Sequence, residues 1–378
     1  MPSVWTYSDT RDSGYGLFKR QILAALETLG WVVHHTRLAL DAPEAQLNLR
    51  QACFAHPADW ILLINQTASQ FYDYIQLPTR QRPLSCQKLV WFLDDPHFFV
   101  HQPFEPTEHV FSFDETYVAY LAQFQPGSCG FWPLAADLQG TGRFDPAYAC
   151  EVSFVGGVVD QAARRAQLSP AMVSYVDTLV EHKLASRFLS FEELALRYPI
   201  APGKQIQLTP AVHHYLYWET NTRYRIRTLE ALLEFDLRLY GNEDWLRVLG
   251  DSPLRRVYKG PADPVTELPR IFASSAVNLN IHSIQCVGSL NQRDFNAPLA
   301  GGFLLSDWVP ACAAYFQPGV NAIYYKDTLD LKAKVRYYLR HPKEREGVTV
   351  RARQWIEQNH TYPRRMWEIV ALLSRHVS

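Results

Sequence analysis

Short apolar runs alternate with helix-like patterns along the whole chain. Near the start, Val4-Trp5-Thr6-Tyr7 predicts a strand, and residues 17–29 carry apolar side chains at the spacing of one helix face. Gly30 is placed to end that helix, and Trp31-Val32-Val33-His34 predicts the second strand. A strand, a glycine-containing loop, a helix and a second strand form the opening of a Rossmann-like domain.

The loop after the first predicted strand carries Gly14 and Gly16. A dinucleotide fingerprint needs a third glycine in the pattern Gly-x-Gly-x-x-Gly, which this loop lacks. A dinucleotide cofactor is therefore poorly supported, and an NAD-linked oxidoreductase is the least favoured function for this chain.

Two apolar runs, residues 60–64 and 88–93, predict further buried strands of a parallel sheet. The second run ends in Asp94-Asp95-Pro96-His97. Because α/β proteins bind ligands beyond the carboxyl ends of their strands, Asp94, Asp95 and His97 are candidates for catalysis or substrate contact. The alternative is that Asp94 caps a turn and the proline ends the strand.

The strand pattern restarts in the second half. Residues 152–157 predict a strand that enters a turn at Gly156 and Gly157, after a linker that contains Gly140, Gly142 and Pro146. Backbone amides of the two glycines could meet a diphosphate, with Arg164 neutralising it. The alternative is that the glycines only form the turn and that Arg164 is solvated.

This pattern predicts an α/β fold with a first domain at residues 1–147, a second at 148–350 and a C-terminal helix at 351–378. A mostly helical pattern from about 169 to 235 is longer than a βαβ crossover, so it predicts a helical insertion in the second domain.

The stretch 274–307 carries the most informative pattern. Its alternation predicts a strand, then a turn with Gly288 and Ser289, a helix up to Ala300 capped by Gly301-Gly302, and another buried strand. A strand, a turn and a helix start favour an anion through free amides and the helix dipole. The turn at Gly288 and Ser289 is therefore a candidate anion site, although many such units bind nothing.

Composition narrows the possible functions. The 378 residues have a net charge of −1 with 47% hydrophobic and 20% charged residues, which fits two globular domains and gives no broad electrostatic footprint for nucleic acid. The six cysteines are scattered singly, which argues against a zinc site or a disulfide framework. With no apolar run of membrane-spanning length and no signal-peptide pattern, the expected location is the cytoplasm.

Several motifs resemble one family. The run from Arg293 to Asp307, Arg-x-Phe-x-Ala-Pro-x-x-Gly-Gly-Phe-Leu-Leu-x-Asp, resembles the C-terminal signature of bacterial glycosyltransferases of the spore-maturation CgeB type. Trp91-Phe92-x-Asp94-Asp95-Pro96 and His360-Thr361-Tyr362-x-x-Arg365 resemble the same family. The resemblance is strongest between residues 235 and 373.

The resemblance implies a metal-independent glycosyltransferase of GT-B architecture, with two Rossmann-like domains facing each other across a cleft. The second domain would hold a nucleotide-diphosphate-sugar, linked to UDP, dTDP or GDP, and the loop at Gly241 would close around the base. The residues that would stabilise the departing diphosphate are Gly288, Ser289, Leu290, Asn291 and Arg293. The first domain would take a glycan, protein or small-molecule acceptor, with Gly14 and Gly16 next to the substrate. No separate cofactor is expected, and the last helix would cross back to the first domain.

Catalysis would depend on the stereochemistry of transfer. An inverting enzyme needs a base, which Asp94, Asp95 or His97 would supply, whereas in a retaining enzyme the same residues would position substrate.

Two positions depart from the expected pattern. Many relatives carry Glu where Asn296 stands, and that carboxylate is thought to hold the nucleotide ribose; asparagine keeps an acceptor oxygen but loses the charge. This leaves open a changed donor, or a non-catalytic nucleotide-sugar-binding or scaffold protein. Pro298 is unfavourable within a helix, so the helix is expected either to start later or to kink there.

Overall fold

The computed structural model describes residues 1–10, 15–78, 82, 86–136, 142–201 and 208–373. Its residues divide into two compact units. The first contains the described residues of Met1–Asp137 and Gln358–Ser378, and the second those of Leu138–Glu357. Gly14 lies outside the described residues.

In the described part of the first unit, six parallel strands form one sheet in the order β2-β1-β3-β4-β5-β6. The strands are β1 (Ser3–Asp9), β2 (Val32–Leu38), β3 (Trp60–Ile64), β4 (Gln87–Phe92), β5 (Glu108–Ser112) and β6 (Ser128–Phe131). The helices between them are α1 (Tyr15–Thr28), α2 (Ala45–Ala55), α3 (Ala68–Tyr74) and α4 (Val118–Ala122).

The inner strands β3, β4 and β5 of this sheet are almost entirely buried. Every residue of β3 and β5 is buried, as expected for parallel strands that have helices on both faces. Leu63, Val90 and Phe92 pack with Trp5 and with Phe71 of α3 in the core of this unit.

In the described part of the second unit, five parallel strands form a sheet in the order β11-β10-β9-β7-β8. The strands are β7 (Cys150–Val155), β8 (Leu237–Tyr240), β9 (Ser275–Asn280), β10 (Leu304–Asp307) and β11 (Ile323–Tyr325). The helices are α5 (Ala162–Arg165), α6 (Pro170–Ala185), α7 (Phe191–Arg197), α8 (Pro210–Glu230), α9 (Asp244–Val248), α10 (Leu268–Ser274), α11 (Gln292–Leu299), α12 (Cys312–Tyr315), α13 (Thr328–Arg340) and α14 (Pro342–Asn359).

Helices α6, α7 and α8 lie between β7 and β8, where the sequence predicts the helical insertion. Each begins with a local signal. Ser169, Ser190 and Thr209 accept a hydrogen bond from a backbone amide in the first turn, and a proline opens both α6 and α8. The starts of the three helices in the insertion are therefore set by local capping residues.

The strand order reverses once in each sheet, between β1 and β3 and between β7 and β9. In doubly wound sheets, ligands bind at the carboxyl ends of the strands that flank such a reversal. In the second unit this places the candidate site where β7 leads into Gly156 and β9 leads into Ile281.

Helix α11 begins well before Pro298 and includes it, so the alternative of a later start does not hold. The helix ends as the two glycines predict. The amide of Gly302 donates to the carbonyl of Ala297 at 2.9 Å, and that of Gly301 to Pro298 at 3.0 Å. Gly301 has φ +90°, a conformation that favours glycine, and the chain then enters β10.

The last helix, α15 (Tyr362–Leu373), belongs to the first unit and packs against α1. The amide of Ala136 donates to the carbonyl of His360 at 2.7 Å, and Arg365 contacts the ring of His360 at 2.8 Å. Among the described residues, no helix is long and apolar enough to cross a bilayer.

Candidate functional site

The carboxyl end of β9 leads into His282, which is fully buried. Its Nδ1 lies 2.6 Å from Oδ1 of Asp307, and its Nε2 lies 2.8 Å from Oδ2 of Asp294. Burial by itself lowers the pKa of His282, but the two carboxylates outweigh it and raise the pKa to about 9. The imidazole is therefore positively charged at neutral pH and donates from both nitrogens.

Asp307, the last residue of β10, is surrounded by donors. The amide of His282 donates to Oδ1 at 2.9 Å, and the hydroxyl of Tyr224 donates to Oδ2 at 3.1 Å. Arg187, from the loop after α6, also donates to Oδ2. Although burial raises the pKa of Asp307, Arg187 and His282 hold it well below its usual range.

Asp294 connects the start of α11 to the sheet. It accepts hydrogen bonds from the Asn280 side chain and the Asn291 amide, both at 3.0 Å, and from Ser306 at 3.3 Å. The Asn291 side chain in turn accepts from the Arg293 amide at 2.9 Å, which completes a capping box. Two amides of the helix start are thus bound to protein groups rather than directed at a ligand.

Arg293 bridges the two strands that flank the reversal. Its Nη1 donates to the carbonyl of Val155 at the end of β7 at 2.7 Å. Its Nη2 donates to the carbonyl of Ile281 at 3.1 Å, and its Nε to the side chain of Asn280 at 2.8 Å. The planar guanidinium therefore holds three acceptors in a fixed geometry.

A second guanidinium, that of Arg225 on α8, lies beside the first. Arg225 is buried and donates from Nη1 to the carbonyl of Gly157. Both guanidinium carbons lie over the ring of Phe154, at 5.9 Å for Arg225 and 5.4 Å for Arg293. Burial lowers the pKa of both, and the charge of Arg225 lowers that of Arg293 further.

This cluster carries excess positive charge. Arg187 and His282 offset the carboxylates of Asp294 and Asp307. Among the described residues, no carboxylate forms an ion pair with Arg225 or Arg293, and Nε of Arg225 has no hydrogen-bond partner. Two positive charges therefore remain at the β7–β9 reversal, an arrangement that favours an anion with two negative charges.

The glycines predicted to contact a ligand have a packing role in this structure. The amide of Gly156 donates to the carbonyl of Tyr240 at 2.9 Å, so it is bound to protein. A Cβ on Gly241 would lie 2.3 Å from the carbonyl oxygen of Gly156. A Cβ on Gly157 would meet the side chain of Asn242 at 2.9 Å. The loops after β7 and β8 thus approach closely because these residues lack side chains.

Arg164, predicted to neutralise a diphosphate, is exposed and contacts His214. It makes no described contact with the cluster, in which Arg225 supplies the second guanidinium. Sequence analysis missed Arg225. The available signal was its spacing: it lies four residues from Asn221 and from Leu229, both on the buried face of α8.

The turn before α11 contains Gly288, Ser289 and Leu290, the last two of which are buried. Their predicted contacts to a phosphate stay predictions. Asn296 is half-buried, and its side-chain oxygen accepts a hydrogen bond from Gln292 at 3.1 Å. Its predicted contact with a ribose likewise stays a prediction.

In the first unit, the three candidates at the end of β4 separate into a pair and a single residue. Nδ1 of His97 lies 2.6 Å from Oδ1 of Asp95, and the imidazole packs on Tyr120 with 3.8 Å between ring centroids. Asp94 instead accepts a hydrogen bond from the side chain of Asn65 at 2.8 Å. An imidazole oriented by a carboxylate is an arrangement that can take up a proton.

Gly16 is buried in the first turn of α1, at the carboxyl side of β1. Its predicted role in substrate approach stays a prediction. Among the described residues, no group of three or more His, Cys, Asp or Glu side chains is placed to hold a metal ion.

Comparison with solved structures shows which fold these two units form. Sucrose-phosphate synthase from Thermosynechococcus elongatus aligns over 99% of both chains with a TM-score of 0.60 and 10% identity. HepE of Anabaena, solved with UDP-glucose, aligns over 99% of this chain and 100% of its own with a TM-score of 0.57 and 10% identity. A glycosyltransferase from Rickettsia africae aligns over 100% and 99% with a TM-score of 0.52 and 8% identity. The chain has the GT-B fold.

The model of a glycosyl transferase-like family matches residues 223–371. This segment of the GT-B fold contains Arg225, His282, Arg293, Asp294 and Asp307. No curated protein matches the chain. The family match therefore covers most of the charged cluster of the second unit.

Proposed function

We propose that this protein is a glycosyltransferase that moves a sugar from a nucleotide-diphosphate-sugar to an acceptor hydroxyl. The observation that carries the proposal is the pair of guanidiniums, Arg225 and Arg293, without carboxylate partners at the reversal of the second sheet. A bound diphosphate would supply the two negative charges that this pair lacks.

The glycosyl transferase-like match at 223–371 supports this proposal, as does the GT-B structure of HepE solved with UDP-glucose. Because the HepE structure holds UDP-glucose, UDP-linked hexoses are the first donors to test, with dTDP- and GDP-linked deoxyhexoses next. The motifs around Arg293 and His360 favour the CgeB type among glycosyltransferases.

In the proposed transfer, the acceptor oxygen bonds to the anomeric carbon while the bond from that carbon to the diphosphate oxygen breaks. The diphosphate leaves with the electron pair, and Arg225 and Arg293 stabilise its growing charge in place of a metal ion. For an inverting transfer, His97 takes the proton of the acceptor hydroxyl, held in orientation by Asp95.

The first experiment is a thermal-shift titration with UDP, dTDP, GDP, ADP and NAD, each with wild type and Arg293→Lys. One nucleoside diphosphate should raise the melting temperature, since a ligand at a hundredfold excess over its Kd stabilises the folded state by about 2.7 kcal/mol. Arg293→Lys keeps the charge but loses the forked geometry, so the shift should shrink. Stabilisation by NAD alone, or by none of the five, would contradict the proposal.

A second candidate is a protein that binds a nucleotide-sugar without turning it over. Asn296 favours it, because an amide cannot supply the carboxylate that many similar enzymes place there. Measuring hydrolysis of the donor that stabilises the protein distinguishes the two functions. Hydrolysis above the buffer rate supports the enzyme; binding without hydrolysis, even in Asn296→Glu, supports the non-catalytic protein.

A further inference from the structure

A cavity of about 540 Å³ opens in the second unit, beside the charged cluster. We name it the Arg187 pocket; its walls include Arg187, Phe188, Tyr224, Asp307, Trp308 and Lys326. Its volume is within the range of small-molecule sites, roughly 300–1,000 Å³. Neither Arg225 nor Arg293 lines it, so it is separate from the proposed diphosphate site.

The pocket is nevertheless adjacent to that site. Nη2 of Arg293 donates to the carbonyl of Ile281 at 3.1 Å, and Nη2 of Arg187 donates to the carbonyl of the next residue, His282, at 3.2 Å. The two guanidiniums thus bind consecutive carbonyls at the end of β9. A molecule in the Arg187 pocket would lie close to a diphosphate bound at Arg293.

The carboxylate in the pocket wall is already satisfied. Asp307 accepts from the amide and ring of His282, from Tyr224 and from Arg187, which together occupy the acceptor positions of its two oxygens. Its negative charge is offset by Arg187 and His282. Asp307 therefore has a structural role in the pocket wall and is poorly suited to bind a ligand or to act as a base.

One cation of the pocket wall has no ion pair of its own among the described residues. Lys326 is exposed, and although burial raises the pKa of Asp330, the charge of Lys326 helps to lower it, while the carboxylate pairs with Lys334 instead. Phe188, with 47% of its surface exposed, and the half-buried Trp308 add aromatic surface. The pocket thus offers ring faces for an apolar surface and one cation for an anionic group.

We propose that the Arg187 pocket binds an acidic saccharide, with Phe188 and Trp308 packing on a sugar ring and Lys326 pairing with its carboxylate or phosphate. This inference rests on the proposed function and narrows it: a saccharide held beside the donor diphosphate would be the acceptor, bound in the second unit rather than in the first domain, to which the family resemblance assigns the acceptor. The loop after α6 supplies Arg187 and Phe188, so the helical insertion contributes to the choice of acceptor.

The test is ligand-observed NMR titration of the full chain with glucose, glucuronate and glucose 6-phosphate, in the presence and absence of UDP. The acidic sugars should bind about threefold to fivefold more tightly than glucose, the contribution of one exposed ion pair. If glucuronate binds most tightly, the ligand class is a uronic acid; if glucose 6-phosphate binds most tightly, it is a sugar phosphate. Either result supports the proposal.

Lys326→Met should remove the preference for the acidic sugars, whereas Lys343→Met, a change of an exposed lysine outside the pocket, should keep it. Phe188→Ser should weaken the binding of all three sugars to the same extent. Equal binding of glucose and the acidic sugars, or a preference that survives Lys326→Met, overturns the proposal.

The affinity for the donor nucleotide is measured in a separate titration. UDP affinity should be the same in wild type, Lys326→Met and Phe188→Ser, because neither Lys326 nor Phe188 contacts Arg225 or Arg293. If an acidic sugar binds in a Lys326-dependent way but no nucleoside diphosphate binds, the proposed glycosyltransferase function and the acceptor role are both wrong. The pocket would then still be a binding site for an acidic saccharide.

Discussion

Arg187 and Arg293 lie far apart in the sequence but donate to the carbonyls of two consecutive residues, His282 and Ile281, at 3.2 and 3.1 Å. One guanidinium comes from the helical insertion and the other from the first turn of α11. Between them they fix the end of β9 and divide its surroundings into the proposed diphosphate site and the Arg187 pocket.

Arg225→Gln should weaken the binding of the preferred nucleoside diphosphate about tenfold to a hundredfold, since a charge-assisted hydrogen bond contributes roughly 1.5–3 kcal/mol. Arg227→Gln is the matched control, because Arg227 is on the same helix but is exposed and pairs with Glu181. Isothermal titration calorimetry measures both variants. Equal nucleotide affinities in the two variants would show that Arg225 does not contribute to the binding site.

The free energy of unfolding should fall as the pH rises from about 6.5 towards 9. The pKa of His282 is raised from 6.5 to about 9 in the folded chain, so above pH 6.5 the unfolded chain loses a proton that the folded chain retains. His35, whose pKa burial lowers to about 4, contributes only below pH 6.5, where it reduces stability as the pH falls.

Urea denaturation of wild type and His282→Gln at several pH values between 6.5 and 8 measures this dependence. The slope of stability against pH should be flatter in the variant. If His282→Gln does not fold, the ¹⁵N shifts of the His282 ring in wild type answer the question, and a neutral ring at pH 7.5 would contradict the assigned charge.

His97→Gln should lower the rate of sugar transfer by about 10²–10⁴ while leaving nucleoside diphosphate affinity unchanged, as expected for loss of a general base. Asp95→Asn should lower the rate less, because the imidazole stays in place with weaker orientation. His101→Gln, at an exposed histidine nearby, is the control. A His97→Gln enzyme with wild-type turnover would exclude this base.

Gly241→Ala should destabilise the protein by about 1–3 kcal/mol, because the added Cβ would lie 2.3 Å from the carbonyl oxygen of Gly156 and 2.5 Å from the indole nitrogen of Trp245. Gly347→Ala is the matched control. A Cβ there meets only the flexible end of Arg351, and alanine favours the helix by about 0.5–1 kcal/mol. Differential scanning calorimetry of both variants tests the expectation; equal melting temperatures would show that the loops can separate without cost.

The sequence by itself determined the architecture, because the signals for it are local. Alternation of apolar positions, the helical pattern of residues 169–235 and the Gly301-Gly302 cap are local signals, and they predict two Rossmann-like sheets, a helical insertion and the stretch from Gly288 to Asn296. The fold of the chain follows from these patterns.

Only the tertiary structure decided which charges meet. Arg187 and Asp307 are 120 positions apart, and Arg293 and Val155 are 138 apart, so no periodicity within one element connects them. The same packing placed Arg225 rather than Arg164 beside Arg293, and it gave His282 its charge by enclosing it between two carboxylates. Local pattern fixes where strands and helices form, whereas ionisation depends on burial and on partners that packing brings together.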